Sequence, residues 1–393
     1  MALPARYRAA LTRNVLALGL VSLLTDAASE MIVPLLPLFV TQVLGGGAMT
    51  LGWIEGVADS AASLLKLLSG RLADRMGRYM PLVITGYGLA TIARPLVALA
   101  TAPWHVLLVR LADRTGKGIR ESPRDAVLAA SVPPERAGTA FGFHKAMDYV
   151  GAVLGPAMGL AILALSGGSL RTVFACAAVP GVLVLVALTV GAREPPPVPH
   201  EARRVLSGWP TPVLSRFLLP LALFTLGNAS DLFLLIKAGG TKDALTTLPL
   251  IWMAYNTVRA LTSLASGDLV DRFGPRRVIG AGWLVYALVY VGFAFAESTT
   301  AMFVLFMIYG TYHGLCRGAE KALVASLAPR GQGGAAFGWY HLTVGLLTLP
   351  ASVLFGVLWD RASPAAAFLV SAGLAAAGLA LLAVMRPRAP SAE

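Results

Sequence analysis

Gly70-Arg-Leu-Ala-Asp-Arg-Met-Gly-Arg-Tyr-Met-Pro-Leu82 joins two long apolar runs. Gly70 and Gly77 let a helix approach closely or the chain turn tightly. Asp74 sits among Arg71, Arg75 and Arg78. Arginines alone would hold such a segment at a membrane face, but an embedded aspartate adds an acceptor suited to the N-terminus of a neighbouring helix. The stretch returns 197 residues later as Gly267-Asp-Leu-Val-Asp-Arg-Phe-Gly274. A second pair, Gly138-Thr-Ala-Phe-Gly-Phe-His144 and Gly334-Ala-Ala-Phe-Gly-Trp-Tyr340, repeats at an offset of 196. One repeat of about half the chain predicts two equivalent units.

The composition says what surrounds those units. Of 393 residues, 56% are hydrophobic and only 13% charged, against roughly a quarter charged in an ordinary soluble domain. The mean hydropathy is +0.71. Such a chain cannot cover itself with polar groups, and its solvent is lipid. The net charge of +12 would raise nucleic acid as a partner, but the basic residues lie mostly in short segments between apolar runs, where membrane orientation explains them. Cys176 and Cys316 both fall inside apolar runs and lack zinc-site spacing. No disulfide, metal or cofactor is expected.

Runs long enough to cross about 30 Å of hydrocarbon recur twelve times. The expected spans are 14–44, 49–70, 80–101, 103–132, 138–166 and 170–192, then 217–239, 246–267, 277–297, 299–329, 334–359 and 364–385. The first is too long for a signal peptide and is read as a retained helix. With the N-terminus inside, seventeen arginines fall on the cytoplasmic side and only Arg171, Lys242 and Arg361 opposite, which predicts cytoplasmic termini. The segment 193–216, with Glu194-Pro-Pro-Pro-Val-Pro199, reads as a linker. The expected division is therefore a six-helix bundle over 1–192, the linker over 193–216, and a second bundle over 217–393. Repeats on the same membrane side are parallel repeats about an axis along the membrane normal, which puts a substrate site between them near the midplane.

The opening stretch resembles the loop motif of the major facilitator superfamily, with Tyr79 replacing the usual second basic residue; 267–277 is a partial second copy. The resemblance runs the length of the chain. It implies an all-α membrane protein with twelve transmembrane helices in two six-helix bundles related by pseudo-two-fold symmetry. It also implies a latch for Gly70, Asp74, Arg75, Gly77 and Arg78, and by the repeat for Asp271 and Arg272. In span four, Arg114-Thr-Gly-Lys-Gly118 resembles the family's Arg-x-x-Gln-Gly signature, with Lys117 in place of Gln; in drug exporters of the family that arginine is tied to proton transfer. Span five, with Gly142, Gly151, Gly155, Pro156 and Gly159, resembles the antiporter motif, which accompanies export by exchange. The plainer reading of those glycines is close helix packing, with a bend at Pro156. Ser22–Met31, Ile54–Asp59 and Gly116–Asp125 resemble a prokaryotic subgroup of mostly unassigned substrate.

A charge near the bilayer centre costs at least about 2.5–3.5 kcal/mol, so each one needs a partner or a wet cavity. Asp26 and Glu30 share a face of span one, and Glu55 and Asp59 a face of span two. Span four carries Arg110, Asp113, Arg114, Lys117, Arg120, Glu121, Arg124 and Asp125. His144 and Asp148 are four apart in span five. The second half offers Asn228, Asp231, Arg259, His313, Arg317, Glu320 and Lys321. Two readings stand. Arg120, Arg124, Arg317, Glu320 and Lys321 suit ion pairs of a gate. Asp26, Glu30, Asp59 and Asp231, nearer mid-span, suit proton coupling or substrate contact, and Glu55, Arg114, Lys117, Asn228, Arg259 and His313 join them as candidates. His144 with Asp148 offers a proton relay or a hydrogen-bonded structural histidine, but is too little for a metal cage.

Together these features predict a secondary active transporter with a small-molecule substrate and protons as coupling ion, acting as a monomer in the bilayer. Export of a charged or zwitterionic solute, proton-coupled uptake, and a receptor or assembly protein that lost transport are all open. No nucleophile–base pair or phosphate loop suggests an enzyme.

Overall fold

The computed structural model describes residues 9–46, 48–196, 209–229, 233–234, 237 and 244–385. Among these there is no strand. The helices are α1 (Arg13–Glu30), α2 (Ala48–Met76), α3 (Met80–Ala93, continued as a 3-10 stretch Arg94–Leu99), α4 (Pro103–Ala130), α5 (Ala137–Leu165) and α6, which runs in two pieces (Leu170–Cys176 and Ala178–Gly191). They continue as α7 (Pro212–Leu226), α8 (Ala244–Phe273), α9 (Pro275–Phe295), α10 (Thr299–Leu327), α11 (Gly333–Arg361) and α12 (Pro364–Val384).

Three expectations need correction. The first span is broken: after α1 the chain turns through Met31–Leu35 and resumes as a short helix Leu36–Leu38 and a π-helical turn Phe39–Val43. Pro34 and Pro37 have no N–H to continue the hydrogen-bond ladder. The stretch taken for a loop is mostly helix, because α2 continues to Met76 and α8 to Phe273. Only Gly77 (φ 63°) and its counterpart Gly274 (φ 84°) make the turn, in the left-handed region that glycine adopts without steric cost. In span seven, α7 starts earlier than expected and ends at Leu226; Asp231 and most of the remaining span lie outside the described residues, as do the linker residues 197–208.

Among the described residues, six helices are long and apolar enough to cross a membrane: Met80–Leu99, Pro134–Leu165, Leu170–Gly191, Pro275–Phe295, Gly333–Arg361 and Pro364–Val384. α4 is not among them because of its eight charged residues. Those charges are turned inward: Arg110, Asp113, Arg120, Glu121, Arg124 and Asp125 are all buried. Leu99, Leu165, Val190, Leu288 and Phe295 stand exposed. Apolar outside and charged inside is the arrangement that hydrocarbon demands.

The chain forms two compact units. The first holds the chain to Arg136, resumes at Met147 through α6, and includes Arg330–His341. The second holds Ala137–Ala146, the helices α7 to α10, and the chain from Leu342. The start of α11 thus packs in the first unit and the start of α5 in the second.

Within the first unit, α1 begins at the cap Thr12, and Arg13 Nε donates to the Gly191 carbonyl at the end of α6 (3.0 Å). Glycines on α5 set its distance from α1. A Cβ at Gly155 would stand 2.7 Å from both the Ala27 carbonyl oxygen and Glu30 Cβ; Gly151 faces Leu23 and Asp26 in the same way, and Gly159 faces Met31. Gly142, in the second unit, instead meets Ser263 and Gly267 of α8. The second unit is filled by aromatic rings. Phe224 stacks on Trp283 at 4.4 Å, and Tyr286 on Tyr290 at 4.1 Å.

Gly155→Val should force α1 from α5 and lower the thermal midpoint in detergent, at an overpacking cost of about 1–3 kcal/mol. Gly373→Ala, where a new Cβ meets nothing within 4 Å, should leave the midpoint unchanged or raise it. Parallel unfolding scans of the two variants test the packing.

Candidate functional site

Residues three and four apart on a helix share a face, so the charges of α4 form a longitudinal stripe. Each turn of it meets a different neighbour. Nearest the start of the helix, Asp113 takes Arg94 Nε at 2.8 Å and Arg110 at 3.6 Å, while Arg94 also donates to the Thr25 carbonyl of α1 (2.9 Å). Two guanidiniums clamp one buried carboxylate, and α1, α3 and α4 are joined through it. Breaking such a pair would strand a charge in low dielectric. The next residue, Arg114, pairs with Asp59 of α2 at 2.9 Å. Arg114 is 17% exposed and Asp59 is 63% exposed, so this pair sits at the open edge of the stripe. Lys117 lies among the charges of Glu121, Arg114, Lys66 and Asp26. Lys66 of α2 pairs with Glu121 at 2.8 Å.

The far end of the stripe is tied down. Arg120 lies 4.3 Å over the Tyr87 ring and donates to the Gly86 carbonyl (3.4 Å), a brace between α4 and α3. Arg124 pairs with its neighbour Asp125 at 2.9 Å. Asp125, fully buried, also meets His341 Nε2 of α11 at 2.9 Å. Asp26 and Glu30 are half-buried beside Gly151 and Gly155. Asp148 accepts from the Ser22 hydroxyl of α1, and His144 is fully buried. The Glu55 side chain lies outside the described residues. No group of three metal-ligating side chains occurs among the described residues.

Asp74, past the end of the expected span 49–70, accepts from the backbone N–H of Gly334 (2.9 Å) and Ala335 (2.7 Å) at the start of α11. The Tyr79 hydroxyl donates to the same carboxylate at 2.8 Å. The tyrosine that departs from the family pattern therefore supplies a third donor. Gly70 is in backbone contact with Gly334, leaving no room for a Cβ. The second copy does the same in the second unit: Asp271 accepts from the Thr139 N–H (3.2 Å) and hydroxyl at the start of α5, and Gly267 abuts Gly138 and Thr139. Arg75 and Arg78 are exposed; Arg272 pairs with Asp268 at 2.8 Å.

In the second unit, Arg259 of α8 donates to Asn256 (3.1 Å) and lies 4.9 Å over the Tyr255 ring. Asn228 donates to the Tyr312 hydroxyl (3.1 Å), and Arg317 meets Glu320 at 3.8 Å. His313, Glu320 and Lys321 are buried. Sequence reasoning passed over Ser22, Thr139, Glu194 and His341 as site residues. The Glu194 carboxylate accepts from the N–H groups of Tyr79 (2.7 Å) and Met80 (3.0 Å) at the start of α3. Its proline-rich surroundings point to a linker, and nothing local signals the contact. Thr139 could have been found, since it opens one copy of a repeated segment and so marks the same place as Ala335.

A family model described as Major Facilitator Superfamily matches residues 18–251 and 239–393. The chain is 33% identical over 381 residues to an uncharacterized MFS-type transporter of Methanocaldococcus jannaschii, covering 95% of each. It is 29% identical to the multidrug resistance protein MdtG of Dickeya zeae, over 79% of each chain. Among solved structures, it resembles the human organic anion transporter MFSD10 with a TM-score of 0.79 at 16% identity, covering 97% of this chain and 100% of the other; that likeness speaks for the fold.

Burial pushes the Asp74 carboxyl up to about 6, against the hydrogen bonds from Ala335, Tyr79 and Gly334, which pull it down. A pKa raised by burial means that the closed contact binds the proton more tightly than an exposed carboxyl does. The contact should therefore be more stable below pH 6 than above it. Opening, read as hydrogen exchange at the Gly334 and Ala335 amides corrected for intrinsic rate, should slow about tenfold from pH 7 to pH 5. Asp74→Asn should abolish that dependence. Faster corrected exchange at pH 5 in the wild type would contradict the assignment.

Proposed function

This chain belongs to the major facilitator superfamily, and from that premise we propose that it is a secondary active exporter, moving a small charged or zwitterionic solute outward in exchange for protons. The cargo class includes a drug, a metabolite or a metal chelate. The carrier works as a monomer in the cytoplasmic membrane with both termini inside. Its halves, 1–192 and 217–393, carry the solute by alternating access.

The Asp59–Arg114 pair carries this reading. An aspartate in the body of a transmembrane helix that is more than half exposed has to face water, since lipid would not accept its charge. Its partner is the arginine of the Arg-x-x-Gln-Gly-like segment. A proton arriving at Asp59 competes with Arg114 for the same carboxylate and releases the guanidinium. Arg114 is then available to Lys117's surroundings, where Asp26 and Glu121 also act. In this reading one carboxylate exchanges a proton for an ion pair on each cycle, which is the minimum coupling requires. Asp26 and Glu30, beside the glycine row of α5, are the second place where a proton would be felt.

The exchange reading also draws on the span-five glycines and on MdtG, a relative that is named for multidrug resistance. The contacts of Asp74 with α11 and of Asp271 with α5 would be the latches that break when access changes. Each offers charge-assisted hydrogen bonds, which are strong enough to hold a state and few enough to be broken.

Reconstitution in liposomes with an internal pH-sensitive dye tests the mechanism. Candidate solutes are added by class, and wild type is compared with Asp26→Asn, Glu30→Gln and Asp59→Asn. Solute-dependent proton movement is expected in wild type and should vanish in Asp59→Asn, with the protein folded. Solute flux with no proton movement, unchanged in all three variants, would sink the coupling mechanism and leave a facilitator.

A further inference from the structure

We propose that the second unit binds an anionic phospholipid in a cavity at the start of α9, with the phosphate at Arg277 and an acyl chain along leucines of α10 and α12. None of these residues is a coupling candidate, and the site stands whether or not the carrier exchanges protons. The starting observation is a break in the repeat. At the offset of 197, Tyr79 and Met80 at the start of α3 correspond to Arg276 and Arg277 at the start of α9. In the first unit the N–H groups of Tyr79 and Met80 donate to the Glu194 carboxylate, two residues past the C-cap Ala192 of α6. The C-cap of α12 is Met385, and from there the sequence runs Arg386-Pro-Arg388, with no carboxylate before Glu393. The chain repeats the helix start without the acid that covers it, and it has two arginines at the matching positions.

A cavity of about 780 Å³ opens at that place. The turn from α8 into α9 and the last turns of α10 and α12 enclose it, and no acidic side chain among the described residues lines it. One wall is basic. Arg276 Nη2 donates to the Leu382 and Ala383 carbonyls (2.6 and 2.7 Å), which fixes that guanidinium across the end of α12. Arg277 is exposed. The N-cap of α9 is Gly274, which has no side chain to offer the first amides an acceptor. The other wall is apolar. Leu323 and Leu327 of α10 and Leu379 of α12 line it, and Phe273 lines it with its own ring exposed. Gly280 leaves room on that side: within 4 Å, a Cβ there would meet only Leu379 Cδ1, at 3.4 Å.

The two walls together select the occupant. In the first unit an oxyanion of the chain itself takes this place, so an oxyanion fits the second copy too. A soluble phosphate would leave the leucine wall against water. A zwitterionic lipid would bring an ammonium toward Arg277 along with its phosphate. A phosphodiester on a diacyl chain suits both walls, with Arg277 supplying the grip and Arg276 adding its charge. α9 is long and apolar enough to cross a membrane, so its first residues lie at the level where headgroups meet acyl chains. Basic pockets between membrane helices at that level bind anionic headgroups.

Native mass spectrometry of the delipidated full-length protein in detergent tests the site. The probes are dioleoyl phosphatidylglycerol, dioleoyl phosphatidylcholine and, for the head alone, glycerophosphate. Phosphatidylglycerol should bind saturably and at least about tenfold tighter than phosphatidylcholine, and glycerophosphate should not bind in the same range. Arg277→Gln should lose about tenfold in affinity for phosphatidylglycerol, as one charge-assisted contact implies. Gly280→Leu, which puts a side chain into the apolar end, should weaken it as well. Arg361→Gln removes an exposed arginine at the end of α11 and should bind as wild type does. If Arg277→Gln does not fold, Gly280→Leu against Arg361→Gln carries the comparison. Equal binding of the two lipids, undiminished affinity in both Arg277→Gln and Gly280→Leu, or an equal loss in Arg361→Gln overturns the proposal. Glycerophosphate binding as tightly as the lipid would make this a soluble-anion site and overturns it too.

Discussion

An ionised side chain in hydrocarbon has nowhere to go but inward, and the first unit is organised by that constraint. α4 carries eight charged residues over 28, which would be unremarkable on a soluble helix and is prohibitive on one facing lipid. Turning the stripe inward gives every neighbouring helix a partner. Asp113 binds α3 through Arg94, Asp59 and Lys66 bring in α2, Arg120 braces α3 again, and Asp125 meets His341 of α11. The stripe therefore serves as the unit's polar core, where a soluble bundle would use leucine.

The pairs along the stripe are unequal in kind, and the inequality is what lets one helix combine structure with a moving part. Asp113 is enclosed by two guanidiniums and almost wholly buried, so it fastens α1, α3 and α4. Asp59 meets its arginine with most of its side chain exposed. Ion pairs open to water are worth little, and that small worth makes them exchangeable. The second unit solves its interior with aromatic rings and few charges, so its polar residues stand out individually.

Glycine works on both sides of this arrangement. The α5 row lets α1 approach until Asp26 and Glu30 flank the contact. Gly70 against Gly334, and Gly267 against Gly138, bring backbone to backbone so that Asp74 and Asp271 can reach the first amides of α11 and α5. Those amides have no partner inside their own helix, so a carboxylate there satisfies groups that would otherwise be orphaned. The same chemistry appears once more where Glu194 covers the start of α3.

The sequence by itself determined the solvent, the number and approximate bounds of the helices, the repeat and the two aspartates that it places in register. These are properties of local composition and spacing, and hydrocarbon imposes them on any fold: a span must be apolar for its full length, and a charged one must turn its charges away. Asp74 and Asp271 were legible as acceptors because a repeated acidic residue in a basic segment has no purely topological reason. Which residues they would bind was not legible. Tyr79 looked like the loss of a positive charge and is a hydrogen-bond donor to Asp74. Arg120 looked like half of an ion pair and lies on a tyrosine ring. His341 and Ser22 looked like ordinary span residues and meet Asp125 and Asp148. In each case the partner is distant in the chain or on another helix, and helix rotation decides which side chains meet. That rotation is set by where glycines allow close approach and by which buried charges must be satisfied at once, a condition on the whole packed unit that no single stretch of sequence contains.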